Sequence, residues 1–299
     1  MTIGIVDAAN PAFLAYVLAF GAAAVAAFAS VGRARRIDDP DTRRGLIALL
    51  VASGAWATTH VGFIAAPTEW IAVAFYEVGL VVGLAAVGPW LYFCSAYTGR
   101  SLHRDPTYRR VAVAVFLVIV AVKVTNPVHH LYFTTEFVST PFPHTTVHNG
   151  VLHWVVMGLS YALSAVGFFM LFELFSQVSY RTRPLAVLVG LSGVPVVLDV
   201  IGFASPLFLD VTYEPLGVAV FAVGVVFAYL ERFQAVRVAG ERDVPVIVLD
   251  EDDEIHEYNE SAHELFPEAL GPDALAGLLD ATVPRIADRL GSETPILSL

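Results

Sequence analysis

Five ionisable side chains lie inside long apolar stretches of the sequence, where a charge is costly to place. They are His60, Glu77, Lys123, Asp199 and Glu214. Ionisable residues in an apolar membrane segment generally face the bundle interior and mark a functional site. We therefore predict a polar ligand pocket between helices, in which Glu77 or Asp199 forms an ion pair with Lys123. The alternative is a structural set of interhelical hydrogen bonds, or of interface residues at the span ends.

A second group of candidates is a run of histidines in the middle of the chain. Five of the nine histidines fall here: His129, His130, His144, His148 and His153. Imidazole binds zinc and copper and titrates near neutral pH, so metal or proton sensing is one interpretation. The candidate metal ligands are His129, His144, His148 and His153. Two observations disfavour a metal site: adjacent histidines cannot easily bind the same metal ion, and no cysteine belongs to the group. A solvated loop is therefore the competing interpretation.

The elements that must position these residues are long apolar runs. The chain is 57% hydrophobic with a mean hydropathy of +0.67, which is too apolar for an ordinary soluble domain. Runs of about 20 residues, enough to cross a bilayer, occur seven times. They cover approximately residues 12–31, 45–66, 70–97, 110–126, 151–175, 184–204 and 213–231. The sequence thus predicts an all-α membrane protein with a seven-helix transmembrane bundle.

Basic residues between the runs predict the orientation. The segments after spans 1, 3, 5 and 7 hold 14 arginines, and the other loops hold no arginine or lysine. Positive residues concentrate on the cytoplasmic side. We therefore expect a multi-pass protein of the plasma membrane with its N-terminus outside and its C-terminus in the cytoplasm. In this orientation the five ionisable residues all fall in the outer half of the membrane. Glu173 falls in the inner half, where we expect a contact with Arg181 or Arg183.

The last 57 residues have a different character. Residues 243–299 hold two arginines and 14 acidic residues, a balance that disfavours nucleic acid and anionic lipid as partners. Residues 246–249 and 255–258 have strand patterns separated by an acidic turn, and Asn259 is placed to cap a short helix. In the chain as a whole Lys123 is the single lysine beside 16 arginines. Such composition resembles that of proteins from extreme halophiles.

Several short stretches carry a family resemblance in addition. They are residues 55–57, 88–93, 97–100, 125–133 and 212–216. In this order they resemble the seven-transmembrane N-terminal region of sensor histidine kinases, here of haloarchaeal type. The strand, acidic turn, second strand and Asn259 of the tail resemble the start of a PAS domain, of which 57 residues supply only a part.

The resemblance implies three regions and a signalling role. It implies a seven-transmembrane sensory domain at 1–232, a signalling linker at 233–243 and a partial PAS-like domain at 244–299. The signal would pass through the seventh helix at Arg232 and Phe233 within a two-component system. We find no phosphoacceptor histidine box or ATP-binding boxes, so we expect no enzyme activity, no catalytic residue and no cofactor. His256 and His263 are weak candidates for haem ligands.

The resemblance also implies the partners. They are the lipid bilayer, a second copy of the chain in a homodimer, a kinase core or response regulator, and an unknown small-molecule signal. Two other classes stay open: a small-solute membrane transporter and an intramembrane metal-dependent hydrolase. For the hydrolase, His60 and Asp199 supply only two metal ligands. A retinal protein is nearly excluded, because residues 213–231 contain no lysine for a Schiff base.

Overall fold

The computed structural model describes residues 10–177, 190, 209 and 211–224, together with the backbone of three short strands between 246 and 298. Several predictions fall outside this part of the chain. They concern most of the sixth span with Asp199, the residues Arg181, Arg183, Arg232, Phe233, Asn259 and His263, and the side chain of His256. The domain boundaries at 232 and 243 lie there too.

The described part is mostly helical. Its helices are α1 Pro11–Ala34, α2 Pro40–Ile64, α3 Glu69–Tyr97, α4 Pro106–Val124, α5 Asn126–His129, α6 Val151–Gln177 and α7 Glu214–Val223, with a 3-10 turn at Leu102–Arg104. Within the described residues, α1, α2, α3 and α6 are long and apolar enough to cross a membrane. Helix α4 spans 19 residues and carries three basic side chains. The count of seven spans remains a prediction.

Three helices begin earlier than their apolar runs because an aspartate or asparagine caps each of them just before a proline. The carboxylate of Asp39 accepts from the Thr42 amide at 2.6 Å, and that of Asp105 accepts from the Thr107 amide at 2.7 Å. Asn10 caps α1 in the same way. These caps satisfy amides that the first helical turn leaves free. Helices α2 and α4 therefore start at residues 40 and 106, ahead of the predicted 45 and 110.

Helices α2 and α3 approach each other closely, because glycines lie where they meet. A Cβ atom on Gly45 would lie 2.7 Å from the Phe93 Cα atom. One on Gly83 would lie 2.7 Å from the Trp56 ring. Glycine is the residue that permits such close helix approach in a membrane. We call this contact the α2–α3 seam.

A β-hairpin replaces most of the loop predicted between spans 4 and 5. Strand β1, Phe133–Val138, pairs antiparallel with β2, His144–Asn149. The side chain of Asn126 anchors it: Nδ2 donates to the Phe133 carbonyl at 2.9 Å, and Oδ1 accepts from the amides of Tyr132 and Phe133 at 2.9 and 3.2 Å. Short strands with few apolar residues give little periodic signal, so the sequence pattern alone predicts a loop here.

The hairpin and the arginine-rich loops lie at opposite ends of the bundle. At the hairpin end, Tyr132, Phe133 and Phe142 join a buried cluster with Phe20 and Phe63. The other end, which we call the basic end, contains residues 33–44 and 98–110. A second buried cluster lies toward it, around Leu46, Trp90, Phe93, Met170 and Phe221. Apolar side chains between the two ends are exposed along α1, α3, α4 and α6, as expected for a surface that faces lipid.

The tail contains a small antiparallel sheet. Strands β3, Val246–Leu249, and β4, Ile255–Tyr258, pair with each other and confirm both predicted strands. The sequence did not predict β5, Ile296–Ser298, which pairs with the other edge of β3. The central strand is therefore β3, and the order is β4-β3-β5.

Candidate ligand-binding cavity

A cavity of 440 Å³ lies among α2, α3, α6, α7 and the C-terminal end of α4. Its size is within the range of small-molecule sites, about 300–1,000 Å³. Aromatic and aliphatic side chains make most of its wall. Its aromatic side chains include Trp56, Phe63, Phe75, Tyr76, Trp90, Phe168 and Phe221. The shape and lining suit a ligand with an apolar body.

Trp90 connects the two sides of this wall. Its Nε1 donates to the Ser164 carbonyl of α6 at 3.1 Å. Its ring approaches Gly167 so closely that a side chain there would displace it. The ring also packs against Phe168 and Phe221, with centroids 4.9 and 6.0 Å away. One tryptophan of α3 thus contacts both α6 and α7 at the apolar part of the cavity.

His60 lines the cavity and joins α2 to the residues just before α7. Its Nδ1 lies 3.0 Å from the Trp56 carbonyl, and its Nε2 lies 2.9 Å from the Thr212 hydroxyl. A carbonyl only accepts, so Nδ1 carries the hydrogen and Nε2 accepts from Thr212 in the neutral ring. The ring stacks on Phe20 of α1, with centroids 4.7 Å apart. Both nitrogens are engaged within the protein, which matches the structural alternative for this residue.

Lys123 forms a second polar position with Tyr132 and His153. The lysine is only 3% exposed, and its ammonium donates to the Leu80 carbonyl at 2.6 Å. It lies 5.4 Å from the centroid of the Tyr132 ring, which the His153 ring also contacts at 5.5 Å. The Nδ1 atom of His153 is buried without a hydrogen-bond partner among the described residues. We call these three residues the Lys123 corner.

Glu214 supplies the acidic group of the cavity at the start of α7. Its Oε1 accepts from the Tyr161 hydroxyl of α6 at 2.7 Å. Its Oε2 is buried and has no partner within the part of the chain that the structure describes. The first turn of α7 is therefore tied to α6 through one hydrogen bond that borders the cavity.

The structure brings together three of the five predicted pocket residues. His60, Lys123 and Glu214 line the cavity. Glu77 is not among the described lining residues, and no ion pair joins it to Lys123, whose ammonium binds the Leu80 carbonyl instead. The structure therefore does not form the predicted ion pair between Glu77 and Lys123. Asp199 lies outside the described residues.

The four candidate metal ligands occupy separate environments. His129 contacts the Val122 carbonyl, and His144 contacts the Phe142 carbonyl. His148 pairs with Glu136 on the surface of the hairpin. His153 lines the cavity instead. Over residues 10–177 and 211–224, no three His, Cys, Asp or Glu side chains are placed to hold a metal ion together, so the predicted set does not form one site here.

An ionic network lies at the basic end, away from the cavity. Asp41 accepts from the Tyr92 hydroxyl at 3.0 Å and from the Arg104 guanidinium at 2.9 Å. Glu173 of α6 pairs with Arg100, while the predicted partners Arg181 and Arg183 lie outside the described residues. Arg100 follows α3 directly, so this pair joins the ends of α3 and α6.

The sequence did not identify several of the residues that line the cavity. Tyr132 and Thr212 gave no signal beyond belonging to stretches with a family resemblance. The face of α6 gave a stronger one, because its lining residues recur at helical spacing: Met157, Ser160, Tyr161, Ser164, Ala165 and Phe168. Steps of three and four residues place side chains on one face of a helix. Small and hydroxyl side chains on that face would have indicated a cavity.

Comparison with known proteins adds a family to this geometry. None of the curated proteins compared with the chain matches it. A family model described as the N-terminal 7TM region of histidine kinase matches residues 12–236, which is most of the chain and includes every described helix except the first residue of α1. That match and the four apolar helices identify a membrane protein. The chain therefore belongs to the family of N-terminal 7TM regions of histidine kinases.

Proposed function

We propose that this chain is the membrane sensor input of a histidine-kinase-type signalling protein. In this proposal a small molecule enters the cavity and changes the position of α7. The seventh helix then passes that change through Arg232 and Phe233 to the acidic tail, which acts as a partial PAS-like domain. The tail in turn acts on a kinase core or response regulator, and the chain works as a homodimer.

The observation that carries the proposal is that α7 and the residues before it form part of the cavity wall. Thr212, Glu214, Val218 and Phe221 all line it. Among the hydrogen bonds that attach this segment to its neighbours, two border the cavity: His60 with Thr212 and Tyr161 with Glu214. A ligand that alters either bond binds one position of the helix more tightly than the other. Such a difference in affinity is what a population shift requires.

The proposed orientation places the cavity where an outside signal can reach it. The hairpin end would face outward, and the basic end with its arginines would face the cytoplasm, in agreement with the distribution of positive charge. Helix α7 begins at the hairpin end and runs toward the basic end, where Phe221 joins the cluster around Trp90. The same helix would thus connect the outer part of the cavity to the cytoplasmic side.

A cavity-filling substitution tests the sensor role. The full chain is joined at its C-terminus to a histidine-kinase core, and autophosphorylation is measured in membrane vesicles. Ser160→Phe places a ring in the cavity. We expect it to change basal autophosphorylation by about fivefold or more, the lower range of allosteric coupling energies.

The matched control is Val166→Phe, which adds bulk to an exposed position of the same helix. We expect autophosphorylation to stay at the parent level in this variant, because its side chain points away from the cavity. Equal autophosphorylation in both variants, with both inserted in the membrane, would contradict the sensor proposal.

A further inference from the structure

The Lys123 corner places a buried cation beside the cavity without an anion. No carboxylate among the described residues lies within ion-pair distance of its ammonium, which has one hydrogen bond to a main-chain oxygen. An ammonium has three hydrogens to donate. A buried charge is costly unless it is paired and hydrogen-bonded. Within the part of the chain that the structure describes, the ammonium therefore has no negatively charged partner.

His153 strengthens this requirement independently. It is 6% exposed, it lines the cavity, and its Nδ1 has no hydrogen-bond partner among the described residues. Both His153 and Lys123 contact the ring of Tyr132, so the two nitrogen-bearing groups share one corner. In the tautomer that protonates Nδ1, this atom is a second donor. Two donors in an apolar wall suit a ligand with a compact oxyanion.

We propose that the cavity binds an apolar monocarboxylic acid, with its carboxylate on Lys123 and His153 and its hydrocarbon body among the aromatic side chains. The chemistry fits a flexible alkyl acid from the bilayer and an aryl-alkyl acid from the medium. This inference rests on the proposed function for its role as the signal, but the binding itself is a separate property of the cavity.

An organic amine is the main competing ligand, since Glu214 also lines the cavity. The geometry favours the acid. Glu214 is half-buried, and although its Oε2 has no partner among the described residues, its Oε1 already accepts from Tyr161. Lys123 is more deeply buried, and the one hydrogen bond of its ammonium to a described residue goes to a neutral carbonyl. The buried ammonium of Lys123 is therefore the group that gains more from a ligand of opposite charge.

The test compares head groups on the same hydrocarbon. The purified full chain in detergent micelles is titrated with octanoate, 1-octanol and octylamine by calorimetry. We expect octanoate to bind about tenfold or more tightly than 1-octanol, since a hydrogen bond to a charged group contributes about 1.5–3 kcal/mol. Titration with 4-phenylbutyrate separates the two sources: tighter binding than octanoate indicates an aryl acid, and weaker binding an alkyl acid.

Two variants locate the preference for acid. Lys123→Met removes the ammonium and should abolish the preference of octanoate over 1-octanol, while octanol binding persists. Arg110→Met removes an exposed positive charge near the start of the same helix and should leave the preference unchanged. If Lys123→Met does not fold, His153→Leu serves instead and should weaken octanoate binding without weakening octanol binding.

Three results would overturn the inference: equal affinity for octanoate and octanol in the parent, tightest binding of octylamine, or an unchanged acid preference in Lys123→Met. No kinase is present in this experiment, so these results leave the sensor role standing. Conversely, octanoate binding with no change in autophosphorylation on adding octanoate to the chain joined to a kinase core would overturn the sensor role and leave the binding inference intact.

Discussion

The two ends of the bundle are held together by different forces. At the basic end, Asp41 joins α2 to α3 and to the 3-10 turn through Tyr92 and Arg104. At the hairpin end, Asn126 binds main-chain groups of the following segment, and the Tyr76 hydroxyl donates to Asn149 at 3.0 Å. One end depends largely on charges near water, and the other depends on buried neutral hydrogen bonds.

This difference shows how stability can be distributed in a membrane sensor. Charges near water are screened by salt and contribute little each. Buried hydrogen bonds are insensitive to salt, but each unpaired group is costly. The hairpin end, which borders the Lys123 corner through Tyr132, should therefore be the more sensitive to single substitutions and the less sensitive to ionic strength.

Asn126→Ala should have the largest effect on stability. It removes three hydrogen bonds to buried main-chain groups of Tyr132 and Phe133. At about 1 kcal/mol or more for each unpaired group, we expect a loss of about 3 kcal/mol. Thermal unfolding in detergent and amide exchange at Tyr132 measure it. The control Asn149→Ala removes the one bond from Tyr76, for about 1 kcal/mol; equal losses in the two variants would refute the anchoring role of Asn126.

Asp41→Asn should have a smaller effect that depends on salt. It weakens contacts with Arg104, Tyr92 and Arg44, for about 1 kcal/mol at low ionic strength. Thermal unfolding at low and high salt should show the difference between parent and variant shrinking as salt rises. Glu136→Gln, in an exposed pair with His148 at the hairpin end, is the control and should change little at either salt concentration. A loss for Asp41→Asn that does not change with salt would contradict the electrostatic account.

His144 should give the smallest effect, as a dependence of stability on pH. Burial of its ring lowers the pKa of His144, which donates to the Phe142 carbonyl at 2.7 Å. Its pKa in the unfolded chain is higher, so below about pH 6.5 the unfolded state binds more protons and stability falls as pH decreases. Unfolding measured across this range should show a weaker pH dependence in His144→Gln. His148→Gln, at an exposed position, should keep the parent dependence; the reverse pattern would exclude His144 as its source.

The sequence predicted the described helices well, because long apolar runs are hard to mistake. Helices α2 and α4 begin at Pro40 and Pro106, a few residues before their predicted starts. An apolar run stops at the first charged residues, whereas the capped helix continues past them into water. The sequence alone could not predict that Glu173 pairs with Arg100. Their separation of 73 residues is closed only by the packing of α3 on α6.

The sequence predicted the level along the helices at which the cavity lies, but it did not identify all the residues that line it. Hydropathy and charge placed His60, Lys123 and Glu214 at similar heights, and they line one cavity. The rotation of each helix about its axis decides which side chains face inward, and the weak amphipathicity of these spans does not reveal it. In the described residues Glu77 forms no ion pair with Lys123, and His153, one of the candidate metal ligands, lines the cavity.

The α2–α3 seam determines which wall of the cavity is able to move. Where Gly45 and Gly83 meet their neighbours there is no room for another carbon atom, so sliding these two helices would force atoms into one another. On the opposite wall, Thr212 and Glu214 are each joined to a described neighbour by one side-chain hydrogen bond, to His60 and to Tyr161, which a guest molecule or water can replace. We expect α2 and α3 to act as the stationary frame and α7 as the part displaced when the cavity fills.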